Sequence, residues 1–497
     1  MKRFTVFVTL LMLLLPSAYG QFALTPKREY RAVWLTAIEN LDWPSKPATS
    51  AYGEEQQKAE LRTMLDTLQA IGINTVFLQT RLRGDVIYPS LYEPFASVFT
   101  GKAGQRPSYN PLQFAIDECH RRGMQCHAWI VALQVKNNQY VDPASEAVVS
   151  HLCTMVKEVV HYYDIDGIHL DYIRYPEKTK GRDQWRRDNV TRAMRAVYQT
   201  VKSEKPWVCV SAAPLGKYRD TRRYSSKGWN AYNTVFQEAQ EWMREGIVDA
   251  LFPMMYYDGQ HFYPFVDDWS AHTYGRHFAA GLGIYQLDRG QLNWPLTTIR
   301  SQLHYLRCFD ADVIDGMCYG NGACGYALFR AGFLMKNTKG VKDELRRFNR
   351  YPALVPALTW SSSQLPVLSN PLRGTVSGDY VRLQWGPTPN VKERNVSTPE
   401  QPVLATDEEK VRYNVYRSIG RPVNIDRADQ FVTIQLDATS LTLPRPSRSR
   451  DTYYAVTAID RFGNESQPIT WCDRAPTPKP TDDHLQPLSP LGNDIVW

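Results

Sequence analysis

The sequence contains no Cys-x-x-Cys pair, and its eight cysteines are scattered from Cys119 to Cys472. Zinc-type ligand spacing is therefore absent, and most of the cysteines are expected to be buried thiols. No glycine-rich phosphate loop follows the first strand-like run, which argues against a nucleotide-binding doubly wound sheet. No charge sign dominates: the formal net charge is +7, and Lys2 and Arg3 supply two of those charges. No basic cluster interleaved with aromatics stands out, so nucleic acid is not an expected partner. Past residue 20 no apolar run is long enough to span a bilayer. These patterns call for no metal and no organic cofactor.

What is present begins with MKRFTVFVTLLMLLLPSAYGQ. Lys2 and Arg3 precede an apolar run from Phe4 to Leu15, and Ala18-Tyr19-Gly20 fits a small-x-small cleavage site. Residues 1–20 thus read as a signal peptide, and a periplasmic or secreted protein is expected. Aromatic residues make up 12% of the chain, including 13 Trp and 29 Tyr. Most should fill cores, while the remainder suit stacking on sugar rings.

From residue 27 to about 350 strand-like and helix-like runs alternate. YRAVWLTA (30–37), INTVFLQT (73–80), MQCHAWIVA (124–132) and DGIHLDYI (166–173) are apolar strands, each followed by helical sequence. WVCVSAAP (207–214), VDALFPMMYYD (248–258), HFAAGLGIYQ (277–286) and DGMCYGNGA (315–323) continue the beat. Eight such units predict an α/β fold, a (β/α)8 TIM barrel covered by helices. Residues 351–365 read as a linker. Residues 366–472 carry short alternating runs such as YVRLQW and TYYAVTAID, which predict a small all-β sandwich of the immunoglobulin or fibronectin type III kind. Residues 473–497 form a proline-rich tail.

In such a barrel, chemistry sits at the C-terminal ends of the strands. Along strand four, His169 and Asp171 share a face, and Asp171 stands near that end; Asp166 lies at the other end, where a structural role fits better. Asp171 could equally be an ion-pair partner of Arg174 or Arg31. Strand six ends in Tyr257 and Asp258, although Asp before Gly also caps turns. The same rim offers Gln79, Arg81 and Asp85 after strand two, His127 and Trp129 on strand three, Tyr285 after strand seven and Tyr319 on strand eight. Arg81 and Arg83 could bind a substrate carboxylate or merely neutralise rim carboxylates. His127, His169 and Asp171 do not have a strong metal-ligand spacing. Carboxylates, amides and aromatic faces together suit proton transfer on a polyhydroxylated substrate.

REYRAVWLTAIENLDWPS, GINTVFLQTRLRGDVIYPS, DIDGIHLDYIRYP and DALFPMMYYDG, in this order and spacing, resemble the bacterial glycosyl-hydrolase-like 10 family over about residues 27–340. The resemblance implies a (β/α)8 barrel of the bacterial envelope, acting on glycan in a family where some members cleave peptidoglycan strands stripped of their peptides. It also implies that Asp171 is the strand-four catalytic carboxylate. A more distant similarity to family-18 chitinases puts Asp166, His169 and Asp171 at the aspartates of D-x-x-D-x-D-x-E, with Ile173 in place of the glutamate. Met255, Tyr257 and Asp258 match the M-x-Y-D pattern of that family. The missing glutamate is the chitinase acid, so that mechanism is not carried over whole.

The expectation is therefore an exported glycoside hydrolase acting on N-acetylated glycan, peptide-free peptidoglycan foremost. Asp171 would be nucleophile or transition-state stabiliser, Asp258 the acid/base or its partner, and Tyr257 the residue orienting the sugar. His169, Arg81, Asp85, Trp129, His127, Tyr285, Tyr319 and Gln79 would bind substrate. The alternatives are a hydrolase of a dietary or capsular polysaccharide, or an inactive glycan-binding protein.

Overall fold

A computed structural model describes residues 25–308, 324–387, 393–398, 401–406, 410–446 and 450–474. The predicted signal peptide, the predicted strand 315–323 with Tyr319, and the tail from residue 475 lie outside the described residues.

The first part of the chain lays down nine parallel strands: β1 (Tyr30–Leu35), β2 (Thr75–Arg81), β3 (Gln125–Val131), β4 (Gly167–Asp171), β5 (Cys209–Ala212), β6 (Ala250–Leu251), β7 (His277–Phe278), β8 (Ala280–Leu282) and β9 (Gly325–Leu328). Their order, β7-β6-β5-β4-β3-β2-β1-β9-β8, brings β9 against both β1 and β8. Since β7 and β8 are halves of one strand interrupted at Ala279, the sheet closes into an eight-stave TIM barrel. The closing strand comes just after the predicted 315–323 run. It starts at Gly325, whose φ is +133° and where a Cβ would lie 2.1 Å from the Tyr30 carbonyl oxygen. Only glycine lets β9 approach β1 this closely.

Helices cover the outside: α1 (Ala51–Ala70), α2 (Pro111–Arg121), α3 (Glu146–Tyr162), α4 (Asp183–Glu204), α5 (Ala239–Arg244), α6 (Tyr263–Ser270), α7 (Leu296–Cys308) and α8 (Val341–Phe348). Local chemistry sets their starts. The Ser50 side chain accepts from Gly53 N at 3.2 Å, and Asn110 accepts from Gln113 N at 3.2 Å with Pro111 at the first helical position. Outward strand residues and inward helix residues form one large apolar core, while Tyr30, Ala32, Trp34, Phe77, Trp129, Ala250, Phe252 and Ala327 fill the barrel interior. Burial at about 25 cal/mol per Å² makes this double layer the main source of stability.

The second part is a small all-β domain. β10 (Arg373–Ser377), β11 (Tyr380–Gln384) and β16 (Ser440–Pro444) form one antiparallel sheet; β14 (Arg412–Ile419), β15 (Phe431–Leu436), β17 (Thr452–Ile459) and β18 (Ile469–Asp473) form the other. A hairpin of β12 (Glu393–Thr398) and β13 (Gln401–Thr406) sits between β11 and β14 in sequence. Val381, Leu383, Trp385, Val415, Tyr454 and Val456 make its core. The domain docks on the N-terminal base of the barrel. Arg461 Nη1 meets Asp164 Oδ1 at 2.6 Å, Lys27 Nζ meets Glu465 Oε2 at 2.6 Å, and the connecting segment lodges the Trp360 indole on Asp249 Oδ1 at 2.8 Å. The C-terminal mouth is left to the loops of the barrel. Cys119, Cys126, Cys153, Cys209 and Cys472 are free thiols.

Candidate active site

β4 ends on Asp171, which points into the barrel mouth and is 7% exposed. The indole Nε1 of Trp129, from the neighbouring β3, donates to Asp171 Oδ2 at 3.3 Å, and Tyr172 N donates to Oδ1 at 2.7 Å. That second bond is possible because Tyr172 turns into the left-handed region, with φ 52°. A tyrosine held there carries a backbone strain typical of functional sites. Burial pushes the Asp171 carboxyl up to about 6; the Arg174 charge and the two donors pull the other way and lose.

Aromatic rings surround this carboxyl. Burial and then the Asp171 charge push the Tyr256 phenol well above its ordinary range. Tyr256 packs edge-on against Tyr285 at 5.6 Å and stacks on Phe329 at 5.4 Å. Gly283 makes room for it, since a Cβ there would lie 2.9 Å from the Tyr256 Cβ. Tyr140, after β3, packs on Tyr172 at 6.1 Å. Arg174 lays its guanidinium over the Tyr172 ring at 4.7 Å and pairs with Glu177 at 3.0 Å. None of Tyr140, Tyr172, Arg174 and Tyr256 was among the predicted site residues. Only Tyr256 had a signal in the sequence. Ala250, Phe252 and Met254 face inward, so a period of two carries the inward face to Tyr256 and turns Tyr257 away.

Several predicted residues sit elsewhere. His169 is fully buried one layer below Asp171: its Nε2 accepts from Trp34 Nε1 at 3.0 Å, its Nδ1 meets Ser211 Oγ at 3.0 Å, and it stacks on Phe77 at 4.0 Å. Burial holds it neutral, far below its ordinary pKa. His127 lies deeper still, fully buried beside Gln125 and Gly167, and burial lowers it to about 4. Neither imidazole can touch a substrate at the mouth. Gln79 is also removed, because its Oε1 accepts from Ala37 N and Ile38 N at 3.0 and 2.9 Å and shapes the loop after β1. Arg81 is locked by Glu93, with Nη2 to Oε1 at 2.6 Å and Nε to Oε2 at 2.8 Å. Trp129 is in the site as the residue that orients Asp171. Asp85 stays on the rim, 3.6 Å from Lys136. Tyr285 lines the mouth. Tyr257 faces Lys217, whose Nζ lies 4.5 Å from the ring centre, and takes a hydrogen bond from Trp229. Asp258 is exposed just beyond, and no hydrogen bond or ion pair links its side chain to Asp171 among the described residues. Among the described residues no cluster of three His, Cys, Asp or Glu side chains could hold a metal ion.

The arrangement can move a proton. A carboxyl in an apolar aromatic pocket, held near neutrality and aimed by an indole N–H, is suited to general acid or base work. Half-buried tyrosines around it offer hydroxyls and flat faces to a sugar ring.

Comparison with known proteins places the barrel among glycoside hydrolases. A family model described as glycosyl hydrolase-like 10 matches residues 29–142 and 179–274. The stretch between them holds Asp171 and Arg174. "Glycosyl hydrolase YngK" of Bacillus subtilis (strain 168) is 28% identical over 500 residues, covering 88% of this chain and 92% of that protein. "Glycosyl hydrolase DigH" of Escherichia coli (strain K12) is 29% identical over 289 residues, 46% of this chain and 65% of that protein. Among solved structures, the endo-β-1,4-mannanase from Thermotoga petrophila aligns with a TM-score of 0.45 at 9% identity, over 90% of this chain and 98% of that one.

Proposed function

We propose that this glycoside hydrolase, which is similar to the glycosyl hydrolase-like 10 family, is an exported enzyme cleaving N-acetylated glycan, with peptide-free peptidoglycan strands as substrate and Asp171 as the proton-transferring carboxyl. The observation that carries the reading is Asp171 itself: buried at the end of β4, raised to about 6, and hydrogen-bonded by Trp129. A carboxyl so placed protonates the glycosidic oxygen as the bond to the anomeric carbon breaks, and then accepts a proton from the incoming water. Asp258, on the loop after β6, is the second carboxylate of the proposal, and Tyr256 positions the reacting sugar. Export rests on the basic, apolar and small-x-small pattern of residues 1–20.

The test is release of reducing ends from denuded glycan strands, with plant and capsular polysaccharides as comparison substrates. The wild-type enzyme should cleave the denuded strands, and Asp171→Asn should not, while retaining its circular dichroism spectrum. Full activity of that variant removes Asp171 from the mechanism. Cleavage of only the comparison polysaccharides removes the substrate.

A further inference from the structure

We infer that the sugar seated beside Asp171 carries a carboxylate and that Arg174 is the residue that recognises it; this rests on the reading of the barrel mouth as the glycan site. Arg174 is 5% exposed, yet only its Nη2 is engaged, by Glu177 at 3.0 Å. Its Nε and Nη1 are buried without any hydrogen-bond partner among the described residues. Buried guanidinium donors left idle are costly, and the native fold tolerates them where a ligand completes them.

The location of Arg174 is equally specific. Its guanidinium lies over the ring of Tyr172, the residue after Asp171, at 4.7 Å, and that ring packs on Tyr140 at 6.1 Å, so Arg174 lies beside the mouth end of β4. A guanidinium is a planar fork that matches a carboxylate with two parallel N–H···O bonds. Of the two sequence-based candidates for that task, Arg81 is occupied by Glu93; Arg174 has two buried donors to give.

The charge around it extends the match. Residues 174–187 and 217–229, the segments that follow β4 and β5, hold eleven of the 58 Lys and Arg residues and three of the 51 Asp and Glu. Large aromatics are exposed among them: Trp185 by 38%, Tyr224 by 41% and Trp229 by 41%. The Arg182 guanidinium lies over the Trp185 ring at 4.1 Å, and Trp229 donates to Tyr257 at the edge of the pocket. A cationic wall bearing flat faces fits a polymer of sugars with carboxylates at regular intervals. An uncharged polysaccharide has no use for it. A phosphate polymer would meet the outer wall but not a pocket built around a glycosidic proton donor.

The experiment uses the full-length protein and denuded glycan tetrasaccharides with their carboxylates either free or converted to methyl esters, in binding calorimetry and in hydrolysis. Wild type should bind the free acid about tenfold more tightly than the ester or better, the size expected of a charge-assisted hydrogen bond. The preference should appear in KM more than in kcat. Arg174→Met should bring the two substrates to within about twofold, and Arg174→Lys, which keeps the charge without the fork, should fall between. Equal binding of acid and ester by the wild type, a preference that survives in Arg174→Met, or binding of neither tetrasaccharide overturns the inference. If Arg174→Met fails to fold, the wild-type ratio and Arg174→Lys decide it. An acid preference lost in the variant, with neither tetrasaccharide hydrolysed by the wild type, leaves Arg174's role standing and removes the proposed reaction instead.

Discussion

The two ends of strand β4 carry an aspartate in opposite electrostatic states. At the base, Asp166 is buried, and burial alone would raise its pKa. The His120 ring at 2.8 Å, and then the charges of Arg412 and Arg461, outweigh that and hold it well below the usual carboxylate range, while the Cys126 N–H donates to the same carboxylate at 2.8 Å. At the mouth, Asp171 is buried too, but its donors are a long indole bond and one peptide N–H, and burial wins. The lesson is that burial does not decide the state of a carboxyl; the degree of compensation does. The base is fully compensated and structural, while the mouth is left uncompensated on both signs, with Asp171 raised and Arg174 short of partners. Uncompensated groups of both signs in one pocket are what a reactive site requires.

The contrast can be broken most severely at its upper end. Asp171→Asn is expected to lower kcat by about three orders of magnitude. Its melting temperature should not fall. Below about pH 4 the folded and unfolded chains both hold this carboxyl protonated. As pH rises towards 6 the unfolded chain ionises first, so the carboxyl opposes folding at neutral pH, by about 3 kcal/mol for a shift of this size. Melting curves of wild type and variant at pH 4 and pH 7 check the sign. At the lower end the outcome inverts. Asp166→Asn should cost about 3 kcal/mol of stability by stripping the partner from His120 and the β3 amide, with kcat unchanged, as read by denaturant unfolding beside an activity assay. For Asp166 the stabilisation is present at neutral pH and lost as pH falls below the ordinary carboxylate range.

Smaller changes sharpen the comparison. Trp129→Phe removes the Oδ2 donor, so kcat should fall about tenfold and the limb of the pH–rate profile that reports Asp171 should move up from about 6. Tyr256→Phe should cost a few-fold more in kcat than Tyr257→Phe, because only Tyr256 feels the Asp171 charge; parallel kinetics on the two variants decide between the phenols.

Much of this contrast could be read from sequence. The alternation along DIDGIHLDYI put Asp171 at the functional end and Asp166 at the structural one. The order of strands and helices followed from apolar runs and caps. His169 was misread because its polarity looked like a rim group, whereas Trp34 and Ser211 satisfy both ring nitrogens inside the barrel. Gln79 and Arg81 were misread for the same reason: their partners, the amides of residues 37 and 38 and Glu93, are brought together only by folding. Tyr257 displaced Tyr256 because a motif was followed where the pleat gave the better answer. Arg174 was read only as an ion-pair partner for Asp171 and had no signal as a binding residue, since idle donors are a property of packing. The basic, aromatic-bearing segments after β4 and β5 did not stand out as a cluster in the sequence, because they become one surface only when two neighbouring staves bring them together.

The docking of the sandwich on the barrel base has a thermal consequence. Asp164 and Glu465 are neutralised across the junction by Arg461 and Lys27, and the Trp360 indole donates a hydrogen bond to Asp249. Prising the two bodies apart would strand these charges in half-apolar surroundings before either core had melted. Calorimetry of the whole chain should therefore trace one endotherm, and a barrel cut free at residue 350 should unfold at a lower temperature.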